Sequence, residues 1–264
     1  MTSRDTRCAD AERAVTAIPD FRSARVEARL SDGPTNASFL VENKGRPFVL
    51  RLDKPGAREL GLNRANEQIV MREVARAGLA PEPVYSDLKT GVFLRRFLKG
   101  RSWTEADLSC PENLRRLASR LRELHRLPPA GDHFDPLAAA RRYQARLGTR
   151  ESLALLQRAE RQVAKINAPQ SARVLCHNDL VCRNIVEGEA LMLIDWEYAA
   201  VGDPYFDLAV VVQHHGLGAD GAEQFLRGYL QESFSMEAIS HLQLQCRFYQ
   251  SLLQLWLLRL QKGE

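Results

Sequence analysis

The sequence has no apolar run approaching the ~20 residues needed to cross a bilayer. Its opening stretch, MTSRDTRCADAERAV, alternates charge with small residues and has no apolar segment of the signal-peptide kind. These absences set the expectation of a cytoplasmic protein with no membrane partner. Cysteines are few: Cys8, Cys110, Cys176, Cys182 and Cys246 are odd in number, scattered, and include no Cys-x-x-Cys pair. Neither a disulfide framework nor a zinc knuckle is expected from them. Dense lysine-arginine blocks with interleaved aromatics are also missing, and the net charge is only +4. A nucleic-acid partner therefore finds no support, whereas a mildly basic surface suits a phosphate-bearing ligand. No internal repeat or low-complexity segment is present.

What the chain does have is 264 residues, 45% of them hydrophobic and 27% charged, enough for one large core or two modest ones. Strand signals gather in the first ~100 residues. Arg25–Leu30 and Ala37–Glu42 flank the turn-rich SDGPTN, and Arg46–Leu52 forms a third run after the hairpin signal Asn43-Lys44-Gly45. A helix over Leu62–Ala77 follows, with Gly78 as its stop, and Gly91–Leu98 reads as a further strand. Beyond Gly100 the spacing turns helical: Pro111–Leu127, Leu137–Leu147, Glu151–Ile166, Gln224–Leu230 and Met236–Leu260. Short strands interrupt at Arg173–Cys176 and at the hairpin of Ile185–Glu187 with Leu191–Ile194. A mostly β part precedes a mostly α part, which predicts an α+β chain of two lobes, residues 1–97 and 98–264.

The segment CHNDLVCRNIVEGEALMLIDWEY, residues 176–198, carries the chemistry. Asp179, Asn184 and Asp195 stand at the ends of short apolar strands within 17 residues. Phosphoryl transfer asks little else of a protein: a carboxylate to orient the attacking hydroxyl, and oxygen ligands to hold magnesium against the phosphates. Asp and Asn also cap ordinary turns, but three at these spacings point to the chemistry rather than to the turn.

Here the pattern resembles a known family. His177-Asn178-Asp179-Leu180 with Asn184 is similar to the catalytic loop of the protein-kinase-like fold. Ile194-Asp195-Trp196-Glu197-Tyr198 and Asp203-Pro204-x-x-Asp207-Leu208-Ala209 resemble the choline, ethanolamine and thiamine kinases, relatives of the aminoglycoside phosphotransferases. The resemblance runs from about Leu30 to Asp207 and implies a small β-rich N-terminal lobe with a larger, mainly helical C-terminal lobe. It implies ATP and Mg2+ as cofactors, Asp179 as catalytic base, and Asn184 and Asp195 as metal ligands. Arg51 takes the place of the phosphate-contacting lysine, Glu67 that of its acidic partner, and Asn36 closes the phosphate-covering loop. Phe93–Gly100 takes the place of the hinge between lobes, with the backbone of Arg96 and Leu98 toward the adenine. For the acceptor, a small-molecule alcohol, the resemblance points to Glu197, Trp256 and His214. Two departures concern that acceptor: position 253 is Leu where the choline kinases carry a second tryptophan, and His214 stands where they carry an acid. Trp256 also reads as a core aromatic among Leu252, Leu253, Leu255 and Leu257. Three functions follow: a kinase for a choline-, ethanolamine- or thiamine-type alcohol; a kinase of the same fold for an aminoglycoside, sugar or nucleoside; or a nucleotide-binding module without turnover.

Overall fold

A computed structural model describes residues 3–54, 57, 61–166 and 173–261. The chain forms two compact units, Met1–Gly100 and Arg101–Glu264. In the first, helix α1 (Ser3–Thr16) precedes the strands β1 (Arg25–Asp32), β2 (Asn36–Asn43) and β3 (Arg46–Asp53). Helix α2 (Arg64–Arg76) and the strands β4 (Pro83–Asp87) and β5 (Val92–Arg96) complete it. The strands make one antiparallel sheet in the order β1-β2-β3-β5-β4. The β2–β3 hairpin closes on Lys44 (φ 52°) and Gly45 (φ 75°), the left-handed pair that a two-residue turn matched to strand twist requires.

Helix α2 starts where Asn63 Oδ1 accepts the amides of Ala65 (3.1 Å) and Asn66 (3.2 Å). It stops at Gly78, whose φ of 70° lets the Leu79 amide turn back to the Val74 carbonyl. The charged helix α1 contributes the buried Ala11 and Val15, with Cys8 and Ala14 partly buried beside them, to a core with Phe21, Phe39, Val41, Phe48, Leu50 and Leu94.

The second unit is mainly helical. Its elements are β6 (Arg101–Ser102), α3 (Glu105–Leu108), α4 (Pro111–His125), α5 (Pro136–Leu147) and α6 (Arg150–Val163), then the strands β7 (Val174–Cys176), β8 (Ile185–Glu187), β9 (Leu191–Leu193) and β10 (Ala200–Gly202). Helices α7 (Pro204–His214), α8 (Ala219–Leu230) and α9 (Met236–Gln261) follow. Leu114, Leu117, Leu121 and Leu124 form the buried stripe of α4, each worth roughly 1.5–3 kcal/mol of transfer free energy. The long helix α9 packs against α5, α6 and α7. Strands β7 and β10 pair antiparallel, as do β6, β8 and β9 in a second small sheet. These two ribbons present the 177–198 segment. Among the described residues no helix is long and apolar enough to cross a membrane.

Several boundaries differ from expectation for local reasons. The helix expected over Pro111–Leu127 ends at His125, because Pro128 disfavours helical backbone before it. The strand expected from Gly91 begins at Val92, since Gly91 is left-handed (φ 70°). The helix expected to Ile166 ends at Val163. Helix α1 and strands β4, β6 and β10 were not anticipated.

Candidate active site

The loop after β7 is held from behind by one carboxylate. Asp207, fully buried on α7, accepts the backbone amides of His177 (2.8 Å, Oδ2) and Asn178 (2.6 Å, Oδ1). His125 Nε2 lies 3.1 Å from the same Oδ2, and its Nδ1 lies 2.7 Å from the Tyr229 hydroxyl. His177 donates through Nε2 to the Ile194 carbonyl (3.0 Å) and accepts the Asp179 amide at Nδ1 (3.3 Å). A ring that donates at one nitrogen and accepts at the other is neutral, and burial accordingly pushes its pKa down. His177 is thus a strut between the loop and the end of β9, not a base. Asn178 is left-handed (φ 64°), with its side-chain amide on the Tyr198 carbonyl (2.9 Å).

These constraints deliver Asp179. Asn184 donates its Nδ2 to both the backbone oxygen (2.8 Å) and the carboxylate Oδ2 (2.9 Å) of Asp179. Burial pushes the Asp179 carboxyl up to about 6; Arg183 opposes the rise and Glu197 reinforces it. With Nδ2 donating to Asp179, Oδ1 is the acceptor end of the Asn184 amide. The Ile194 amide donates to the Asn184 carbonyl (2.9 Å), which brings Asp195 beside Asn184. Asp195 is held at φ 67°, a left-handed conformation that costs a residue with a Cβ roughly 1–2 kcal/mol. An amide oxygen and a carboxylate are the hard donors that magnesium prefers, so the donor set fits that ion. His125, Cys176 and Asp207 also bring potential ligand atoms within 4.8 Å of one another. There Asp207 is engaged by two amides and His125, and burial raises the Cys176 thiol well above its usual value. Hydrogen bonding accounts for that cluster without a metal.

Three tyrosines feel the Asp179 charge. Burial raises the phenols of Tyr143, Tyr198 and Tyr249, and the Asp179 charge adds to the rise in all three. Glu197, itself buried, adds to it for Tyr143 and Tyr198. The Tyr249 hydroxyl lies 2.9 Å from Nδ1 of His214, whose pKa is lowered by burial and then by Arg183. His214 is therefore a neutral hydrogen-bonding partner near neutral pH. Trp256 is half-buried on α9, seven residues and hence about two turns beyond Tyr249.

In the first unit, Arg51 on β3 meets Glu67 on α2 in a two-pronged contact, NH1–Oε1 at 2.5 Å and NH2–Oε2 at 2.8 Å. Arg64 NH1 reaches the same Oε2 at 2.8 Å, while its Nε and NH2 hold Asp53 at 3.0 and 2.8 Å. Burial alone would raise the Glu67 carboxyl, but the guanidiniums of Arg51 and Arg64 outweigh it and hold the group below its usual value. Phe93, opposite Arg51 on β5, stacks under the guanidinium at 4.9 Å. Asn36 opens β2 with its side-chain amide on the Thr35 hydroxyl (3.0 Å), and Lys54 bridges to Asp32 (2.6 Å) across the same turn. Arg96 is exposed, its side chain on Glu82 (3.0 Å) and its amide on the Glu82 carbonyl (3.2 Å). Leu98 is half-buried beyond the end of β5.

Asp53, Arg64, Tyr143 and Tyr198 were not singled out from the sequence. Two of them had a signal: Arg51-x-Asp53 puts two side chains on one face of a strand, and Arg64-x-x-Glu67 puts two on one face of a helix.

A sequence profile described as the phosphotransferase enzyme family matches residues 27–242. Protein LicA of Haemophilus influenzae is 30% identical over 214 residues, covering 76% of this chain and 62% of that protein. A thiamine kinase of Shigella boydii serotype 4 is 29% identical over 188 residues, covering 69% of this chain and 64% of that protein. This chain thus spans somewhat under two thirds of the length of each of these two relatives. Among solved structures, a choline/ethanolamine kinase family protein from Mesorhizobium loti superimposes with a TM-score of 0.78 at 25% identity, covering 97% of this chain and 87% of that one. The expected protein-kinase-like α+β fold is borne out, and the chain belongs to the phosphotransferase enzyme family.

Proposed function

We propose that this chain transfers the γ-phosphoryl group of ATP to the hydroxyl of a small alcohol of the choline, ethanolamine or thiamine type. The observation that carries this is the Asp179–Asn184–Asp195 constellation, fixed to Asp207 from behind and built at two left-handed residues. Asp179 orients the acceptor hydroxyl and receives its proton as the oxygen bonds to the γ-phosphorus and the bond to ADP breaks. A carboxyl with a pKa of about 6 is ionised roughly ten to one at pH 7, so the base is ready while still basic enough to help. Asn184 and Asp195 would hold magnesium, which supplies charge neutralisation to the phosphates when bound. Arg51, oriented by Glu67, would grip phosphate oxygens, with Asn36 in the covering loop. For the adenine edge the backbone of Leu98 is the better candidate, because the Arg96 amide already donates to Glu82.

For the acceptor type, support comes from the buried Glu197 and from tyrosines that feel the Asp179 charge. Tyr198 and Tyr249 with the buried Glu197 suit an ammonium or thiazolium cation, which aromatic faces and a buried carboxylate stabilise together, whereas the Tyr143 ring already carries the Arg259 guanidinium at 5.7 Å. Trp256 would supply a further face, and His214 would act through Tyr249 rather than as a counter-ion. The relatives named for choline, ethanolamine and thiamine agree in acceptor type. The test is ADP release from ATP with choline, ethanolamine, thiamine, neutral sugars and kanamycin, with and without Mg2+. Magnesium-dependent turnover on one of the cationic alcohols is expected. Turnover confined to a sugar or kanamycin would reassign the acceptor, and none with any would leave a nucleotide-binding module.

A further inference from the structure

Arg51 does not face Glu67 alone. The two belong to a closed ring with Arg64 and Asp53, in which side-chain exposures run only from 5% to 16%. Two residues of the ring stand on one face of β3, Arg51 and Asp53, and two in the first turn of α2, Arg64 and Glu67. Glu67 Oε2 is shared by both arginines at 2.8 Å each, and Arg51 Nε lies 3.7 Å from Asp53 Oδ1. The ring holds two cations and two anions and is neutral as a whole.

We infer that Arg64 and Asp53 are positioning residues that hold Arg51 facing the nucleotide phosphates; this rests on Arg51 being a phosphate ligand. Glu67 by itself would neutralise Arg51 and weaken its pull on an anion. By taking part of the Oε2 charge, Arg64 leaves Arg51 with more of its own. Asp53 in turn anchors Arg64 through a two-pronged contact, so Arg64 cannot displace Arg51 from Glu67. The backbone is shaped for this. The Asp53 amide donates to the Gly91 carbonyl at 2.9 Å, and a Cβ at Gly91 would stand 2.8 Å from Asp53 Cβ. Only a glycine there, already at φ 70°, leaves Asp53 its place.

Remove Arg64 and the balance shifts. Asp53 loses its partner and competes for the Arg51 Nε, while Glu67 closes on Arg51 alone. The guanidinium then turns from the phosphates toward its two acids. The decisive measurement is the ATP dissociation constant by calorimetry, with the melting temperature and the acceptor KM alongside. Arg64→Met is expected to weaken ATP about tenfold, equivalent to ~1.4 kcal/mol, while the acceptor KM holds. Arg64→Lys, a point charge that reaches one acid but not both, should recover part of the loss. Asp53→Asn combined with Arg64→Met should bind ATP more tightly than Arg64→Met alone, because the stranded acid is gone. A ring that is merely structural predicts a lower melting temperature with ATP affinity intact in the folded fraction, and that result overturns the inference. Arg51→Met is the internal control. If it weakens ATP and Arg64→Met does not, only the positioning role fails. If Arg51→Met leaves ATP binding unchanged, the phosphate role of Arg51 fails and the positioning role goes with it.

Discussion

Replacing Asp207 with asparagine exchanges one oxygen for an NH2 group in a fully buried side chain that three donors approach. Oδ2 serves His177 N and His125 Nε2, so the cheaper orientation puts the new NH2 at Oδ1, against the Asn178 amide. Donor then faces donor, and a buried N–H left unpaired costs about 1–3 kcal/mol. The remaining bonds lose their charge assistance, roughly 1 kcal/mol each. A total of ~3–5 kcal/mol corresponds to a melting-temperature drop of ~6–20 °C in a protein of this size. The effect on turnover should exceed the effect on stability, because Asp179 is the next residue along the same loop. A displacement of ~1 Å at the base is enough for a ~100-fold loss in kcat. Thermal melts with a kcat measurement on the folded fraction decide the point. A variant melting within ~2 °C of the parent with unchanged kcat would refute the claim that Asp207 builds the site.

Three further outcomes are expected. Glu67 has a folded pKa below its unfolded value of about 4.3, so its contribution to stability is complete above that pH and fades as pH falls through the lowered value. The stability gap between parent and Glu67→Gln should therefore shrink from pH 6 to pH 3; a gap independent of pH would contradict the ion-pair account. Asp195→Gly should abolish magnesium-dependent ATP binding yet keep stability within ~1 kcal/mol, since glycine accepts the left-handed backbone freely. If metal-dependent binding survives, Asp195 is there for the turn. Trp256→Leu should raise the acceptor KM several-fold, up to ~30-fold for a well-desolvated cation–π contact, and leave the ATP constant unchanged. Lower stability with both constants intact would assign Trp256 to the core.

The parts of this protein legible in the sequence are those that local chemistry dictates. Asn43-Lys44-Gly45 announced a hairpin because few residues accept its left-handed turn, and the leucine stripe of α4 announced a helix by spacing. Asp179, Asn184 and Asp195 stood out because their family pattern lies in one short segment. Helix α1 was missed because its apolar face is made mostly of small residues, Cys8, Ala11 and Ala14 with Val15, a weak stripe among its charges. Strand β4 begins at a proline and inserts nothing but a short PVYSD run, so only its pairing with β5 defines it. The same limit applies to the site. The spacing Arg64-x-x-Glu67 was visible, but its closure onto Asp53 needs β3 beside α2, a contact between segments that no local pattern encodes. Tyr249 was visible with Trp256 on the last helix, but Tyr143, on α5, lies far in the chain from the 176–198 segment, so its coupling to the Asp179 charge had no local signal.

The central claim is that Asp179 serves the hydroxyl acceptor in phosphoryl transfer from ATP. It is tested most directly by following the γ-phosphoryl group of labelled ATP into choline, ethanolamine or thiamine with the parent and with Asp179→Asn, while ATP binding is measured separately on both. The account predicts label in the alcohol with the parent, a loss of ~100- to 10,000-fold in rate with the variant, and nearly equal ATP affinity in the two. Near-parental transfer by a correctly folded Asp179→Asn would contradict it.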